Sequence, residues 1–295
     1  MALPRMPKSK YTLHKKAYAK VNLVLKVLNK RPDGFNNIQT LFERISLYDE
    51  LSFGLKKEGI TLTTNAKGLP TDSKNLVVQA ALKLQSVCKV NRGAYIHLKK
   101  NLPIASGVGA GSSDAAATLM ALNQLWKLKL STKQLAQLGS EFGSDISFFT
   151  LNTPFAIGQG RGEKLKALNS KRRFHHVFLT PRLEVSAGSV YKSLRSQWHT
   201  PNVSTTEIAH GLKSVTNSNV RDFVWNILEL PILAKYPQIG ILKQDFLKAG
   251  ADFACVSGSG PTLFTICNTP KQAQNIAHKL SQTHPKAYIA TATTM

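Results

Sequence analysis

Pro103-Ile104-Ala105-Ser106-Gly107-Val108-Gly109-Ala110-Gly111-Ser112-Ser113-Asp114-Ala115-Ala116 is the stretch on which the reading of this chain turns. Pro103 bars helix at the approach, and Gly107, Gly109 and Gly111 let backbone N–H groups come close to a ligand with no Cβ in the way. Ser112 to Trp126 is rich in Ala and Leu and reads as a helix whose start a hydroxyl residue can cap. A helix N-terminus carries unpaired donors and about half a positive charge, so loop and helix together make a phosphate site. Glycine spacing alone fits a flexible linker equally well. Ala115, Ala116 and Ala117 shift the balance, because three small residues in succession allow a close backbone packing that a linker does not need. The stretch is not a G-x-x-x-x-G-K-[ST] phosphate loop, since Gly111-Ser112-Ser113 offers no lysine. Nor is it a dinucleotide fingerprint: Lys99-Lys100-Asn101 precedes it, and no acid stands where a ribose needs one. A phosphate held here takes its cationic help and its metal from elsewhere.

Upstream, Ala17, Ala19, Val21, Leu23, Leu25 and Val27 form an unbroken apolar face at period two, which predicts a strand. Its other face carries Tyr18, Lys20, Asn22 and Lys26. Arg31-Pro32-Asp33-Gly34 is turn chemistry, Ile38 to Leu47 resumes as a strand, and the two make a hairpin-type unit. Asn75 to Cys88 reads as a helix, Ala94 to Leu98 as a short strand, and Ser131 to Phe142 as a helix ended by Gly143.

Downstream, Gly158-Gln159-Gly160-Arg161-Gly162 and then Lys171-Arg172-Arg173 mark a boundary or an exposed connection. Beyond it Val177 to Leu179, Phe253 to Val256, Leu263 to Cys267 and Tyr288 to Ala292 read as strands. Ala187 to Arg195, Val220 to Leu228, Gly240 to Lys248 and Lys271 to Ser281 read as helices. Strands mixed with helices in a non-alternating order predict an α+β fold. His175 and His176, next to Lys171-Arg172-Arg173, read as a solvated basic patch.

The chain has 295 residues, 42% hydrophobic and 19% charged, which suits a globular protein of one large or two ordinary domains and excludes collagen-like or wholly disordered classes. Thirty-nine Lys and Arg against sixteen Asp and Glu give a net charge of +23, a balance that favours polyanionic ligands such as nucleotides, nucleic acid or acidic membrane surfaces. Cys88, Cys255 and Cys267 are too few and too widely spaced for a disulfide framework or a structural zinc site. No apolar run approaches a membrane span and no signal-peptide core follows Met1, so a cytoplasmic protein is expected. The first 31 residues hold nine Lys and Arg and no acid, and Met1 to Lys16 reads as an appended basic arm.

Pro103 to Ala116 resembles the ATP loop of the GHMP kinases, and Lys20-Val21-Asn22, Arg31-Pro32-Asp33-Gly34-Phe35, Gly143-Ser144-Asp145 and Ser257-Gly258-Ser259-Gly260 follow the order seen in one branch of that family. The likeness runs from about Ala17 to near the end of the chain. It implies a two-lobed fold, with residues 1–160 as the N-terminal lobe, 161–295 as the C-terminal lobe, and ATP and substrate in a cleft between them. It further implies transfer of the ATP γ-phosphate to the 2-hydroxyl of a diphosphocytidyl methylerythritol, on the non-mevalonate route to isoprenoid precursors. A different GHMP kinase, acting on homoserine, mevalonate or a sugar, would share the loop, and a basic RNA-binding module is a more distant alternative.

By the same resemblance Asp145 is the catalytic base and Lys20 the matching cation, with Asn22 orienting the hydroxyl or Asp145. Away from the family Asp145 reads as a surface-turn residue. An ammonium on the inner face of an apolar strand calls for a carboxylate partner, unless that face is solvent. Pro103, Gly107, Gly109, Gly111, Ser112 and Ser113 then serve the nucleotide phosphates, and Asn75, Leu76 and Lys100 the rest of the nucleotide pocket. ATP comes with Mg2+, which Ser112 or Ser113 could reach, and no residue is assigned as its direct ligand. The cytidine diphosphate substrate falls to Phe35 and Tyr191, as stacking faces, and to Asn36. Two positions depart from the branch: Asn36 stands where a histidine often meets the cytosine edge, and Ser147 where a proline commonly follows the base. An amide both donates and accepts, as pairing with cytosine requires.

Overall fold

The computed structural model describes residues 10–216 and 219–295. In chain order these form β1 (Leu13–Lys30), β2 (Asn36–Lys56), β3 (Ile60–Thr64), α1 (Leu76–Cys88), β4 (Gly93–Lys99), α2 (Ala110–Leu125), α3 (Thr132–Ser140) and α4 (Ile146–Thr150). There follow β5 (Phe155–Gly160), β6 (Lys164–Leu168), β7 (His175–Thr180), α5 (Ala187–Lys192), α6 (Thr205–Ser214), α7 (Val220–Phe223), β8 (Trp225–Asn226), α8 (Glu229–Lys235), α9 (Pro237–Ala249), β9 (Cys255–Val256), β10 (Leu263–Cys267), α10 (Pro270–Thr283) and β11 (Tyr288–Thr293). The α+β class is as expected. The chain falls into two compact units: residues 10–17, 48–102 and 111–150 in the first, and 18–47, 103–110 and 151–295 in the second. The lobes read from the sequence were contiguous. The units are not, because β1 and β2 each contribute residues to both.

The alternating apolar positions from Ala17 to Val27 are buried, as a strand with one inward face requires. Its other face is buried too at Lys20, Asn22 and Val24, so solvent does not account for the lysine there. The strand is longer than its apolar core: it begins at Leu13, inside the segment read as an appended arm, where the Lys16 ammonium stands 4.3 Å from the Tyr48 ring centroid. The first nine residues of that arm lie outside the described residues. Pro32 to Gly34 turn the chain as expected, with Gly34 at φ +84 and Arg31 N–H donating to Phe35 O at 2.8 Å.

In the first unit, β2 residues Glu50 to Lys56 run antiparallel to β4, and β3 lies parallel to β4 on its other side. Asn75 is the N-cap of α1, its side chain accepting from Val77 N–H at 2.9 Å, a contact worth about 1 kcal/mol. Helix α2 starts at Ala110, two residues earlier than expected, so Ser112 and Ser113 sit inside its first turn instead of capping it. Ala115, Ala116 and Ala117 are all buried in it. Ser131 and Gln134 form a reciprocal capping box on α3. Gly139 lets α3 lie on α4, since a Cβ there would stand 2.4 Å from Ile146 Cγ2.

In the second unit, β5 pairs antiparallel with β2 and with β6. The glycine-rich stretch read as a boundary is therefore the turn of a hairpin, with Gly160 at φ +70 and Gly162 at φ +108. A second sheet runs β11-β7-β10-β9, all antiparallel. The buried face of α10, Ala273, Ile276 and Leu280, and that of α9, Ile239, Leu242 and Phe246, belong to the same core as Val177, Leu179 and Leu263. Val220 to Leu228 is not one helix: α7 ends at Phe223, and Trp225 and Asn226 form β8, parallel to β1. Two residues of strand inside an apolar run carry no periodicity of their own, which is why the sequence hides them.

His176 is not part of a solvated patch. It is fully buried, with Nε2 3.0 Å from Glu43 Oε1, and Thr294 Oγ1 donates to the same oxygen at 2.5 Å. Glu43→Ala is expected to cost about 3–5 kcal/mol in urea unfolding, because it strands two buried polar partners. A loss below about 1 kcal/mol would show that the buried cluster does not hold β2, β7 and the C-terminal segment together.

Candidate active site

Within the glycine-rich loop of the second unit, Ala105, Gly107 and Gly109 all have positive φ (+53, +82 and +71) while Ser106 and Val108 do not. An alternation of this kind turns successive N–H groups toward a common side and makes a concavity for an anion. Ala105 is held in a conformation that a residue with a Cβ visits at some cost. The loop is fastened by its carbonyls: Ser106 O accepts from Thr262 N–H at 3.3 Å, Gly107 O from Ser257 Oγ at 3.1 Å, and Val108 O from Lys20 N–H at 3.0 Å. Gly107 is required by close approach, since a Cβ there would stand 2.4 Å from Ser257 O and 2.8 Å from Gly260 O. The second glycine motif is thus both a turn between β9 and β10 and a wall against the first loop.

Lys20 and Asn22, on the inner face of β1, form a chain of polar contacts in the same unit. Lys20 Nζ donates to Asn22 Oδ1 at 2.6 Å, Asn22 Nδ2 to Thr40 Oγ1 at 2.7 Å, and Thr40 Oγ1 to Val24 O at 2.7 Å. The ammonium also lies 5.4 Å from the centre of the Phe42 ring. Lys20 and Asn22 are 4% and 3% exposed, so their geometry is fixed by packing and not by solvent.

In the first unit, Lys100 is enclosed. Its ammonium binds Asp49 and lies 2.9 Å from Asp114 Oδ2 in the first turn of α2, with all three side chains almost fully buried. The sequence placed Lys100 in the nucleotide pocket; here its ammonium is held by two buried carboxyl groups. Asp49, which the sequence reading missed, also accepts from Asn101 N–H at 2.6 Å and Leu102 N–H at 2.9 Å, the two residues before Pro103. No local pattern announces it, because its partners lie some fifty residues away. Burial would lower the Lys100 ammonium, but the pull of Asp114 and Asp49 raises it overall. Burial lifts Asp114 to about 7 against the pull of Lys100, with Asp49 pushing the same way. One ammonium cannot serve two buried carboxylates fully, and the Asp114 carboxyl is pushed toward its protonated form. Its Oδ1 has no hydrogen-bond partner among the described residues. Asn75, read as a nucleotide contact, spends its amide on Val77 N–H and on Pro70 O at 2.7 Å.

Asp145 is half-buried on the turn immediately before α4, as the sequence predicts, with its carbonyl accepting from Phe148 N–H at 3.1 Å. Ser147 Oγ donates to Ala136 O at 3.0 Å, so this departure from the branch binds α3 to α4. A Cβ on Gly143 would stand 3.8 Å from Ser112 Oγ, which brings the Gly143–Asp145 turn to the first turn of α2. In the second unit Phe35 is 53% exposed at the turn before β2, with the Arg161 guanidinium 5.0 Å from its ring centre. Asn36 begins β2 and is half-buried, and Tyr191 on α5 is half-buried against the core of its unit. Among the described residues no cluster of three or more His, Cys, Asp or Glu could hold a metal ion, and no helix is long and apolar enough to cross a membrane.

An anion-binding loop running into a helix, backed by a buried lysine–asparagine pair and a second glycine turn, agrees with the family models that match the chain: the GHMP kinases N terminal domain over residues 75–153 and the GHMP kinases C terminal domain over residues 212–286. Among its relatives are the 4-diphosphocytidyl-2-C-methyl-D-erythritol kinases of Enterococcus faecalis, 36% identical over 93% of this chain and 96% of that one, and of Moorella thermoacetica, 36% identical over 92% and 96%. A crystal structure of 4-(cytidine 5'-diphospho)-2C-methyl-D-erythritol kinase superposes with a TM-score of 0.79 at 30% identity, over 95% of this chain and 99% of that one. A homoserine kinase from Cytophaga hutchinsonii shares the fold, with a TM-score of 0.70 at 20% identity over 100% and 97%. The chain belongs to the 4-diphosphocytidyl-2-C-methyl-D-erythritol kinase family, within the GHMP kinases.

The raised Asp114 carboxyl gives a testable pH dependence. Between the usual carboxylate range and about 7 the folded chain holds a proton there that the unfolded chain has lost, so the stability this group contributes falls as pH rises through that window. Asp114→Asn, which mimics the protonated form, is expected to gain Tm relative to the natural chain as pH goes from about 4 to about 8. A difference in Tm that stays constant over that range would contradict the assignment.

Proposed function

We propose that this kinase transfers the γ-phosphate of ATP to the 2-hydroxyl of 4-diphosphocytidyl-2-C-methyl-D-erythritol, a step of the non-mevalonate route to isoprenoid precursors. The observation that carries this reading is the loop at residues 105–109 with its alternating φ signs, followed directly by α2. The names of the relatives supply the acceptor. Backbone N–H groups of the loop and of the first helical turn, with Ser112 and Ser113 nearby, bind the nucleotide phosphates. Asp145 accepts the proton of the 2-hydroxyl as its oxygen bonds to the γ-phosphorus; the bond from that phosphorus to the β–γ bridging oxygen breaks and ADP leaves. Lys20, held by Asn22, stabilises the charge that spreads over the phosphoryl oxygens. Mg2+ would travel with ATP and neutralise phosphate charge. It takes oxygen ligands and keeps several waters, so Ser112 or Ser113 could reach it without an all-protein cage.

Phe35 and Tyr191 grip the cytosine, and Asn36 meets its edge. The ring of Phe35 is exposed, with the Arg161 guanidinium 5.0 Å from its centre, which suits a face offered to a base. A cytoplasmic setting belongs to the same reading, in keeping with three unpaired cysteines.

Asp145→Asn is expected to lower kcat by about 10² to 10⁴, and Lys20→Ala by about 10² or more, while each still binds nucleotide. Near-normal turnover in Asp145→Asn would remove it as the base. Phe35→Ala or Tyr191→Ala is expected to weaken the cytidine substrate by about 1–3 kcal/mol and leave the KM for ATP unchanged. Equal effects on both substrates would mark these aromatics as packing residues.

A further inference from the structure

We infer that Asn226 is a positioning residue for the Lys20–Asn22 pair, acting through the backbone of Gly258. Asn226 lies in β8, where it pairs with Leu25 of β1, and it is 4% exposed. Its side-chain oxygen accepts from Leu228 N–H at 2.9 Å, and its amide donates to Val256 O at 2.9 Å and to Gly258 O at 2.6 Å. One amide contact therefore holds the end of β9 and the other the turn that faces Lys20. Gly258 has φ +56, and a Cβ on it would stand 3.1 Å from Gly107 O, 3.3 Å from Asn22 Oδ1 and 3.5 Å from Lys20 Nζ. The turn backbone is thus in packing distance of the lysine, its asparagine and the anion-binding loop together, and its carbonyl is set by one buried amide.

Val256 has a second tether, because its N–H donates to Glu229 Oε1 at 2.6 Å, and Glu229 is paired with Lys243. Loss of the Asn226 amide therefore frees the Gly258 carbonyl while β9 stays attached. Asn226→Asp keeps size and the acceptor for Leu228 N–H, but sets a carboxyl oxygen against two carbonyl oxygens. The consequence falls on the position of the Lys20 ammonium, and so on the chemical step more than on nucleotide affinity.

The inference rests on the reading of Lys20 as the cation of phosphoryl transfer, and a double-mutant cycle separates the two. Asn226→Asp is expected to lower kcat at least about tenfold, with the KM for ATP within about twofold, and to have almost no further effect on kcat in a Lys20→Ala background. A kcat kept by Asn226→Asp, or lowered by the same factor in both backgrounds, would overturn the positioning role while leaving Lys20 in place. Wild-type kcat in Lys20→Ala itself would overturn the reading of Lys20 and the inference with it. Should Asn226→Asp fail to fold, Asn226→Ser, which cannot reach both carbonyls, carries the same cycle with the same outcomes.

Discussion

The backbone of Gly107 lies directly against the backbone of Ser257 and Gly260, closer than any side chain at position 107 would permit. The other contacts of this region are arranged around that approach. It forces glycine on one side and a tight turn on the other, and it brings the Ser257 hydroxyl onto Gly107 O. Val108 O is then taken by the N–H of Lys20, so the strand that carries the lysine also sets the height of the loop. A phosphate site made from main-chain groups depends on such outside fastening, because glycine itself prefers no conformation.

Electrostatics in this chain works on two scales. The surplus of twenty-three positive charges sets up a long-range field that favours anions in general and is screened within about 8 Å at physiological salt. Inside the units charge is balanced locally. Lys100 stands between Asp49 and Asp114, and through Asp49 it ties the approach to Pro103 to the first turn of α2. Glu43, hydrogen-bonded to His176 and Thr294, links β2 to the second sheet and the C-terminal residues. Lys20 is held in the same local way, its ammonium donating to the amide oxygen of Asn22 on the same face of β1.

Much of this was legible in the residues, and the parts that were not share a physical cause. The period-two face of β1, the helices that begin near Asn75 and Ser131 and the turn at Pro32–Gly34 are local signals, and local signals survive in a single sequence. Lys20, Asn22 and the second glycine motif were singled out through the resemblance, and the structure adds their burial and their contacts. Asp49, Glu43 and Asn226 were missed because each earns its role from a partner far along the chain, where periodicity says nothing. The misreading of β8 and of His176 has the same origin: an apolar run and a basic neighbourhood were read by their immediate surroundings, and tertiary burial decided otherwise.

The central claim is that this site phosphorylates an alcohol carrying a cytidine diphosphate. Phosphorus NMR of the chain with ATP, Mg2+ and 4-diphosphocytidyl-2-C-methyl-D-erythritol, with homoserine and mevalonate in parallel, tests it most directly. The account predicts a new phosphomonoester resonance and stoichiometric ADP with the cytidine substrate alone. Transfer to homoserine or mevalonate at a comparable rate, or none to the cytidine substrate while ATP is bound, would contradict it.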